Sequence, residues 1–212
     1  PAGMPVHPSQ GHYENTLANG IAWYYRNEAT PFVFRAVNRL DRDTSGLVLL
    51  AKNPYSSCVL SDAVKDHTIH REYAAIVSGK TDASGTIDLP IARKDGSTIE
   101  RVCDPERGET AVTHYRTFAY NKDADISFIR LLLETGRTHQ IRVHMKAIGH
   151  PLPGDFLYCP DYRFIDRQPL HSTYLRFSHP VTGEKLEFSA SLPEDMRKLF
   201  PDIKNPSGPV FF

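Results

Sequence analysis

The 212-residue sequence has only three cysteines, Cys58, Cys103 and Cys159, odd in number and far apart. That excludes a disulfide framework and a Cys-x-x-Cys metal knuckle, and makes a reducing, cytoplasmic setting the expectation. No apolar run approaches the roughly 20 residues that span a bilayer, so no membrane role is expected. The start does not resemble a basic-then-apolar secretory leader. Net charge is missing too, because 25 Lys+Arg cancel 25 Asp+Glu. Averaged over the surface, this speaks against a nucleic-acid partner, which usually leaves a basic signature. What remains is ordinary for a globular protein: 40% hydrophobic and 24% charged residues, enough for one sizeable domain or at most two small ones.

Along the chain, Leu17, Ile21 and Tyr24/Tyr25 follow helical spacing in a helix started by Asn15 or Glu14. Leu47–Ala51 is a continuous apolar run of strand length and reads as a central strand covered on both faces. Asn53-Pro54 opens a helix, Asn as cap and Pro in its first turn, that stops near His67. Glu72–Val77 reads as a strand, and residues 80–110 as a polar excursion with short strands. Thr113–Tyr120 and Ile126–Glu134 make a hairpin across Asn121–Asp125. A helix capped by Thr138 buries Ile141, Met145 and Ile148 and closes at Gly149. Leu175–Phe177 and Leu186–Phe188 flank a turn, and an amphipathic turn from Pro193 to Phe200 ends the pattern. Strands outnumber helices and are sequential neighbours. The expected class is therefore α+β: a mixed, largely antiparallel sheet flanked by helices.

The densest chemistry lies in Asn38-Arg39-Leu40-Asp41-Arg42-Asp43-Thr44-Ser45-Gly46. A solvated loop with turn hydrogen bonds is the plain reading of such a cluster. An aspartyl-phosphate motif of the haloacid-dehalogenase kind fits poorly. Ser45 holds its threonine position, and Val37–Leu40 is not the apolar strand it requires. A Ser45–His–Asp41 triad lacks the Gly-x-Ser-x-Gly elbow.

The segment Arg39–Leu47 resembles the signature of the RluA-type pseudouridine synthases, His-Arg-Leu-Asp-x-x-Thr-Ser-Gly. Further stretches resemble the same family: Val6-His7-Pro8; Arg71-Glu72-Tyr73 with Ala75–Gly79; Glu134–His144 running through Gly149-His150-Pro151 to Gly154-Asp155; Leu170-His171; and His179–Glu184. The resemblance covers essentially the whole chain, in order. One departure is Asn38, where the family usually has histidine, which puts a role for that imidazole in doubt.

The resemblance implies the pseudouridine synthase fold over residues 1–212, as a catalytic domain. It would lack the family's first strand and any small separate RNA-binding domain of the kind that many members carry; the absence of an initiator methionine before Pro1-Ala2-Gly3 agrees. It implies isomerisation of uridine to pseudouridine inside RNA, with stem-loops of large-subunit ribosomal RNA as target and tRNA second. The chemistry calls for no cofactor and no metal, and neither a Gly-rich phosphate loop nor a ligand cluster is visible. His139 and His144 stand five apart, off the i, i+4 spacing of a zinc helix. RNA is the expected partner of a monomer, without DNA or membrane. The alternative is a noncatalytic RNA-binding module on the same fold.

By resemblance, Asp41 is the catalytic carboxylate, acting on the sugar as nucleophile or as a base. Arg142 pairs with it and favours its charged form in a closed pocket. Tyr73 stacks on the uracil and takes part in proton transfer at the ring, and Leu170 covers the other face. Arg39 fills the space that the extruded base leaves, or holds phosphate. Arg137, His139 and Gln140 complete the substrate-binding set.

The zero net charge then changes meaning. No acid lies between Glu134 and Asp155, where Arg137, Arg142, Lys146 and three histidines fall. Arg35, Arg39 and Arg42 gather around Asp41, while acids such as Asp123, Asp125, Glu194 and Asp195 balance them elsewhere. Positive charge is expected to be local to the cleft, with a modest salt dependence of RNA binding.

Overall fold

Thr16 starts the first helix with a reciprocal cap: its hydroxyl accepts from the Asn19 amide at 3.3 Å while the Asn19 side chain accepts from the Thr16 amide at 3.0 Å. The computed structural model describes residues 1–9, 11–27, 32–203 and 208–211. In chain order these form α1 (Leu17–Tyr24), β1 (Ser45–Gly46), α2 (Pro54–Lys65), β2 (His70–Ser78), β3 (Ser84–Asp88), β4 (Ile91–Arg93), β5 (Arg101–Cys103), β6 (Val112–Asn121), β7 (Ile126–Leu133), α3 (Gln140–Ala147), β8 (Leu170–Ser178), β9 (Lys185–Ser189) and α4 (Glu194–Leu199).

Seven strands join in one sheet in the order β1-β8-β2-β7-β6-β3; β9 also pairs with β8, and β4 pairs with β5 in a separate ribbon. All pairings are antiparallel except β1 with β8. The α+β reading with a mixed, largely antiparallel sheet holds.

The centre of that sheet is β2, flanked by β7 and β8, and alternation along β2 explains both layers. Tyr73, Ala75 and Val77 join Ile129 and Leu131 of β7 and Ile141 and Met145 of α3 in one core cluster. Ala74 and Ile76 point the other way, into a cluster with Phe128, Met196 and Phe200. Helix α3 therefore covers one face and α4 the other. Helix α2 starts where Asn53 accepts from the Ser56 amide at 2.8 Å, and packs Leu60 against Leu175 and Phe177 of β8. Burying a leucine in this way contributes roughly 1.5–3 kcal/mol.

Leu47–Ala51 departs from the sequence reading. It is not a central strand: only Ser45 and Gly46 pair with β8, and Leu47–Leu50 are half-buried. Past Gly46 the run forms a short ribbon with residues 35–37, through Val37 N to Leu49 O at 2.8 Å and Ala51 N to Arg35 O at 2.9 Å. From Tyr174 onward the edge of β8 is taken by β9. The run is apolar because it closes the small core under α2, not because it is covered on both faces.

Candidate active site

Helix α3 does not start at Thr138. Its N-cap is His139, in the left-handed region at φ 58°, and no side chain caps the first turn. The buried Gln140 instead organises the approach. Its Oε1 accepts from Thr135 Oγ1 at 2.8 Å and Arg137 N at 2.9 Å, and its Nε2 donates to Val112 O and Thr113 Oγ1, both at 3.0 Å. This clamp delivers His139 and Arg142 to one side of a cleft of about 780 Å³.

The opposing loop is equally constrained. Asn38, buried at its base, accepts from Leu49 N at 2.7 Å and donates to Leu47 O at 3.4 Å. Thr44 N closes a turn on Asp41 O at 3.0 Å, Gly3 N donates to Arg42 O at 2.8 Å, and Arg167 donates to Asp43 O at 3.0 Å. Gly46 ends the loop at φ +113°, where a Cβ would lie 2.2 Å from the Ser172 carbonyl oxygen; only glycine lets the chain pass β8 there.

Between these two supports, Arg142 Nη1 donates to Asp41 Oδ2 at 2.8 Å. Its Nε and Nη2 donate to the two carboxylate oxygens of Asp155 at 2.6 and 2.7 Å. Arg142 is 2% exposed, and burial opposes its charge, but the two carboxylates prevail and raise its pKa. Asp155 is buried and also accepts from the Leu157 and Tyr158 amides at 3.0 and 3.2 Å. The Asp41 side chain keeps 27% of its surface. Its Oδ1 lies 3.9 Å from His139 Nε2, whose ring also contacts the Tyr158 hydroxyl at 2.9 Å. Burial, more than any other cause, lowers the pKa of His139 and keeps the ring neutral; burial likewise pushes Tyr158 up to about 12.

Tyr73 is buried beside the cleft, and burial raises its pKa against the opposing effects of Arg71 and a hydrogen bond with Ser172. Asp41, Tyr73, Arg142, Arg39, Arg137, His139, Gln140 and Leu170 all line this one cleft. They do not all offer free groups to it. Gln140 is fully committed internally, and Arg137 is bound to Glu109 and to Thr110 O. Leu170 belongs to the core as well as to the wall. Arg39 is exposed and is not paired with Asp43, which Arg42 holds through Nε and Nη2 at 2.9 and 2.7 Å.

Ser45 does meet a histidine, Nδ1 of His171 at 2.8 Å, but both are buried at the β1–β8 junction, and Asp41 is turned to Arg142 instead. Among the described residues no group of three His, Cys, Asp or Glu side chains is placed to hold a metal. His144 is locked between Thr113 Oγ1 and Leu89 O, both at 2.9 Å. Sequence reasoning assigned no role to Asp155; its signal was that it is the first acid after Glu134, placed straight after Gly154.

Solved structures share this architecture. Human RNA Pseudouridylate Synthase Domain Containing 1 superposes with a TM-score of 0.70 over 91% of this chain and 87% of that one, at 23% identity. Human RNA Pseudouridylate Synthase Domain Containing 4 gives 0.69 over 92% and 84%, at 22% identity. The fold is thus that of pseudouridylate synthase domains. Residues 1–147 match the family model described as RNA pseudouridylate synthase, and the chain belongs to that family of RNA-modifying isomerases.

Among its relatives, the "Uncharacterized RNA pseudouridine synthase YjbO" of Bacillus subtilis (strain 168) is 47% identical over 91% of this chain and 67% of its own length. "Ribosomal large subunit pseudouridine synthase D" of Zymomonas mobilis subsp. mobilis is 40% identical over 94% of this chain and 67% of its own length. The chain spans about two thirds of the length of these relatives.

Proposed function

We propose that this chain converts a specific uridine of large-subunit ribosomal RNA to pseudouridine, with Asp41 as the carboxylate that acts on the nucleotide. The observation that carries the reading is the Asp41–Arg142 contact at 2.8 Å in the floor of the cleft. One oxygen of Asp41 is fixed on a buried guanidinium, and the other, Oδ1, stays open to the cleft.

A stacked or paired uridine cannot reach that oxygen, so it is everted at a cost of a few kcal/mol. The ring enters between Tyr73 and Leu170, and its ribose faces Asp41. The bond from C1′ to N1 then breaks, the uracil turns, and C5 joins C1′. The proton on C5 leaves and N1 takes up a proton, so the overall change is an isomerisation. Attack by Asp41 on the sugar and removal of a proton both use a carboxylate, and Arg142 Nη1 donates to its Oδ2 at 2.8 Å. Tyr73 stays protonated at neutral pH, because burial raises its pKa. It therefore serves as a stacking surface and hydrogen-bond donor rather than as a standing base. Arg39, exposed at the cleft, enters the space vacated by the base or meets the backbone. The ribosomal target is supported by relatives about 40% identical over more than nine tenths of this chain that are named ribosomal large subunit pseudouridine synthase D.

Mapping pseudouridines in cellular RNA with and without the gene tests the reading. Loss of one ribosomal site, restored by the wild-type gene but not by Asp41→Ala, is expected. Restoration by Asp41→Ala overturns the role of the carboxylate, and a lost site in tRNA instead overturns the ribosomal target.

A further inference from the structure

Arg71 and Tyr73 project from the same face of β2, two residues apart, and both line the cleft. Arg71 is 7% exposed, yet its side chain makes no hydrogen bond or ion pair among the described residues, and its Nε is buried without a partner. Nη1 and Nη2 are not sealed in the same way. They are the part of the guanidinium that a ligand in the cleft can reach. Gly136 makes room for them: a Cβ there would lie 2.9 Å from Nη1.

Other arginines at the cleft are differently placed. Arg142 is held by Asp41 and Asp155, Arg137 by Glu109 and Arg42 by Asp43, and Arg39 is exposed. A buried charge without a counter-charge is strongly disfavoured, so Arg71 is placed for an anion that arrives with the substrate. Around Arg142, two carboxylates share one guanidinium, which leaves the catalytic end of the cleft with an excess negative charge. A phosphate passing that end needs a cation on its other side.

We propose that Arg71 is a substrate-binding residue whose Nη pair grips the non-bridging oxygens of a phosphate flanking the everted uridine. A phosphate suits the site better than a uracil carbonyl for two reasons. It brings the missing negative charge, and it offers two oxygens to the planar fork of a guanidinium. Gly136 is the glycine that keeps this fork unobstructed.

The assignment rests on the RNA-isomerase reading and is tested separately from it. The probe is the stem-loop carrying the mapped uridine, made with ordinary phosphodiesters or with one neutral methylphosphonate on either side of that uridine. Single-turnover rates against enzyme concentration give a half-saturating concentration and a saturated rate. Arg71→Gln is expected to raise the former about tenfold, leave the latter within about twofold, and shallow the salt slope by about 0.7–0.9. One of the two methylphosphonates costs the wild type a similar factor and costs Arg71→Gln little. Arg71→Lys keeps the salt slope. Gly136→Ala, which crowds Nη1, weakens binding in the same direction and serves if Arg71→Gln does not fold. A collapse of the saturated rate at unchanged half-saturation overturns the assignment, as does a methylphosphonate penalty equal in both proteins. A wild-type enzyme that forms no pseudouridine sinks the functional reading instead.

Discussion

Arg142 grips both carboxylate oxygens of Asp155, at 2.6 and 2.7 Å, and this bidentate contact aims its remaining nitrogen at Asp41. A guanidinium held in this way has a fixed plane, so Asp41 meets a donor whose direction is set before substrate arrives. Asp155 is fixed in turn by the Leu157 and Tyr158 amides, and Gly154 before it adopts φ +76°. Any Cβ at Gly154 would lie 2.5 Å from the Ile165 carbonyl oxygen. The chain from Gly154 to Asp41 is therefore a positioning device that ends on the carboxylate proposed to act on the nucleotide.

Asp155→Asn and Asp41→Asn should separate positioning from chemistry. Replacing Asp155 leaves a buried guanidinium short of charge, which typically costs about 3–5 kcal/mol. It also frees Nη1 to drift, and an error of about 1 Å at a reacting group costs on the order of a hundredfold in rate. Asp41→Asn leaves the Arg142–Asp155 pair intact at a partly exposed position. Its stability should stay within about 1 kcal/mol of wild type while pseudouridine formation is abolished. Urea unfolding and a single-turnover assay read both. Equal destabilisation by the two variants contradicts the division of roles.

Tyr73→Phe should keep the packing of the ring against the Ile129 and Leu131 cluster and lose only the hydroxyl. If the hydroxyl assists proton transfer at the ring, the saturated rate falls by about 10²–10⁴ while RNA affinity barely changes. Because burial lifts the Tyr73 pKa above its ordinary 10, no limb of the wild-type rate profile below pH 10 should disappear in this variant. A limb between pH 7 and 9 that vanishes in Tyr73→Phe would show the phenol acting as a standing base.

The parts legible in the sequence were those set by local rules. Asn53-Pro54 fixes the start of α2, alternation marks β2, and Ile141 and Met145 mark the buried side of α3. Leu47–Ala51 was misleading because an apolar run reports burial and not which neighbour supplies it. Thr138 looked like a cap, but Gln140 takes over the loop amide and hydroxyl that precede the helix. Asp155 and Arg71 stood within motif stretches but received no role, for the same reason. Their importance lies in which long-range partners they have or lack, and spacing along the chain carries no trace of that. Asn38 shows the converse. As a departure from the family motif it raised a question of chemistry, and its amide stitches the base of the Asp41 loop.

Gly46→Ala should be among the most damaging single-methyl changes in the chain. The added Cβ would meet Ser172 backbone atoms at 2.2, 2.6 and 2.8 Å, and the φ of +113° is one that side-chain-bearing residues rarely adopt. Backbone cannot move aside as a flexible side chain can, so a loss of more than about 3 kcal/mol is expected, with activity falling as the Asp41 loop detaches from β8. Ser45→Ala next to it removes only the hydrogen bond to His171 and should cost about 1 kcal/mol. Comparing midpoints of urea unfolding decides the matter. A Gly46→Ala protein as stable as Ser45→Ala would mean that the β1–β8 contact is not constrained as described.

Burial pushes the pKa of His171 down to about 4 from its ordinary 6.5, so the folded protein binds this proton more weakly than the unfolded chain does. Stability from this group is complete above pH 6.5 and is lost as pH falls from there toward 4, at about 1.4 kcal/mol per unit, or roughly 3 kcal/mol in all. His139 and His144, whose pKa values burial also lowers, add losses of the same sign. Glu72, whose pKa is lowered by His70, Arg130 and the Val210 amide in spite of its burial, adds its own loss below about 4.5. His171→Gln cannot titrate, yet it can still accept from Ser45 and donate toward Ala190 O, as the imidazole does at 2.8 and 3.4 Å. Unfolding free energies measured between pH 7 and 4 should therefore fall less steeply in His171→Gln than in the wild type, the difference opening from pH 6.5 downward. Parallel curves would mean that His171 takes up its proton in the folded protein as readily as in the unfolded chain.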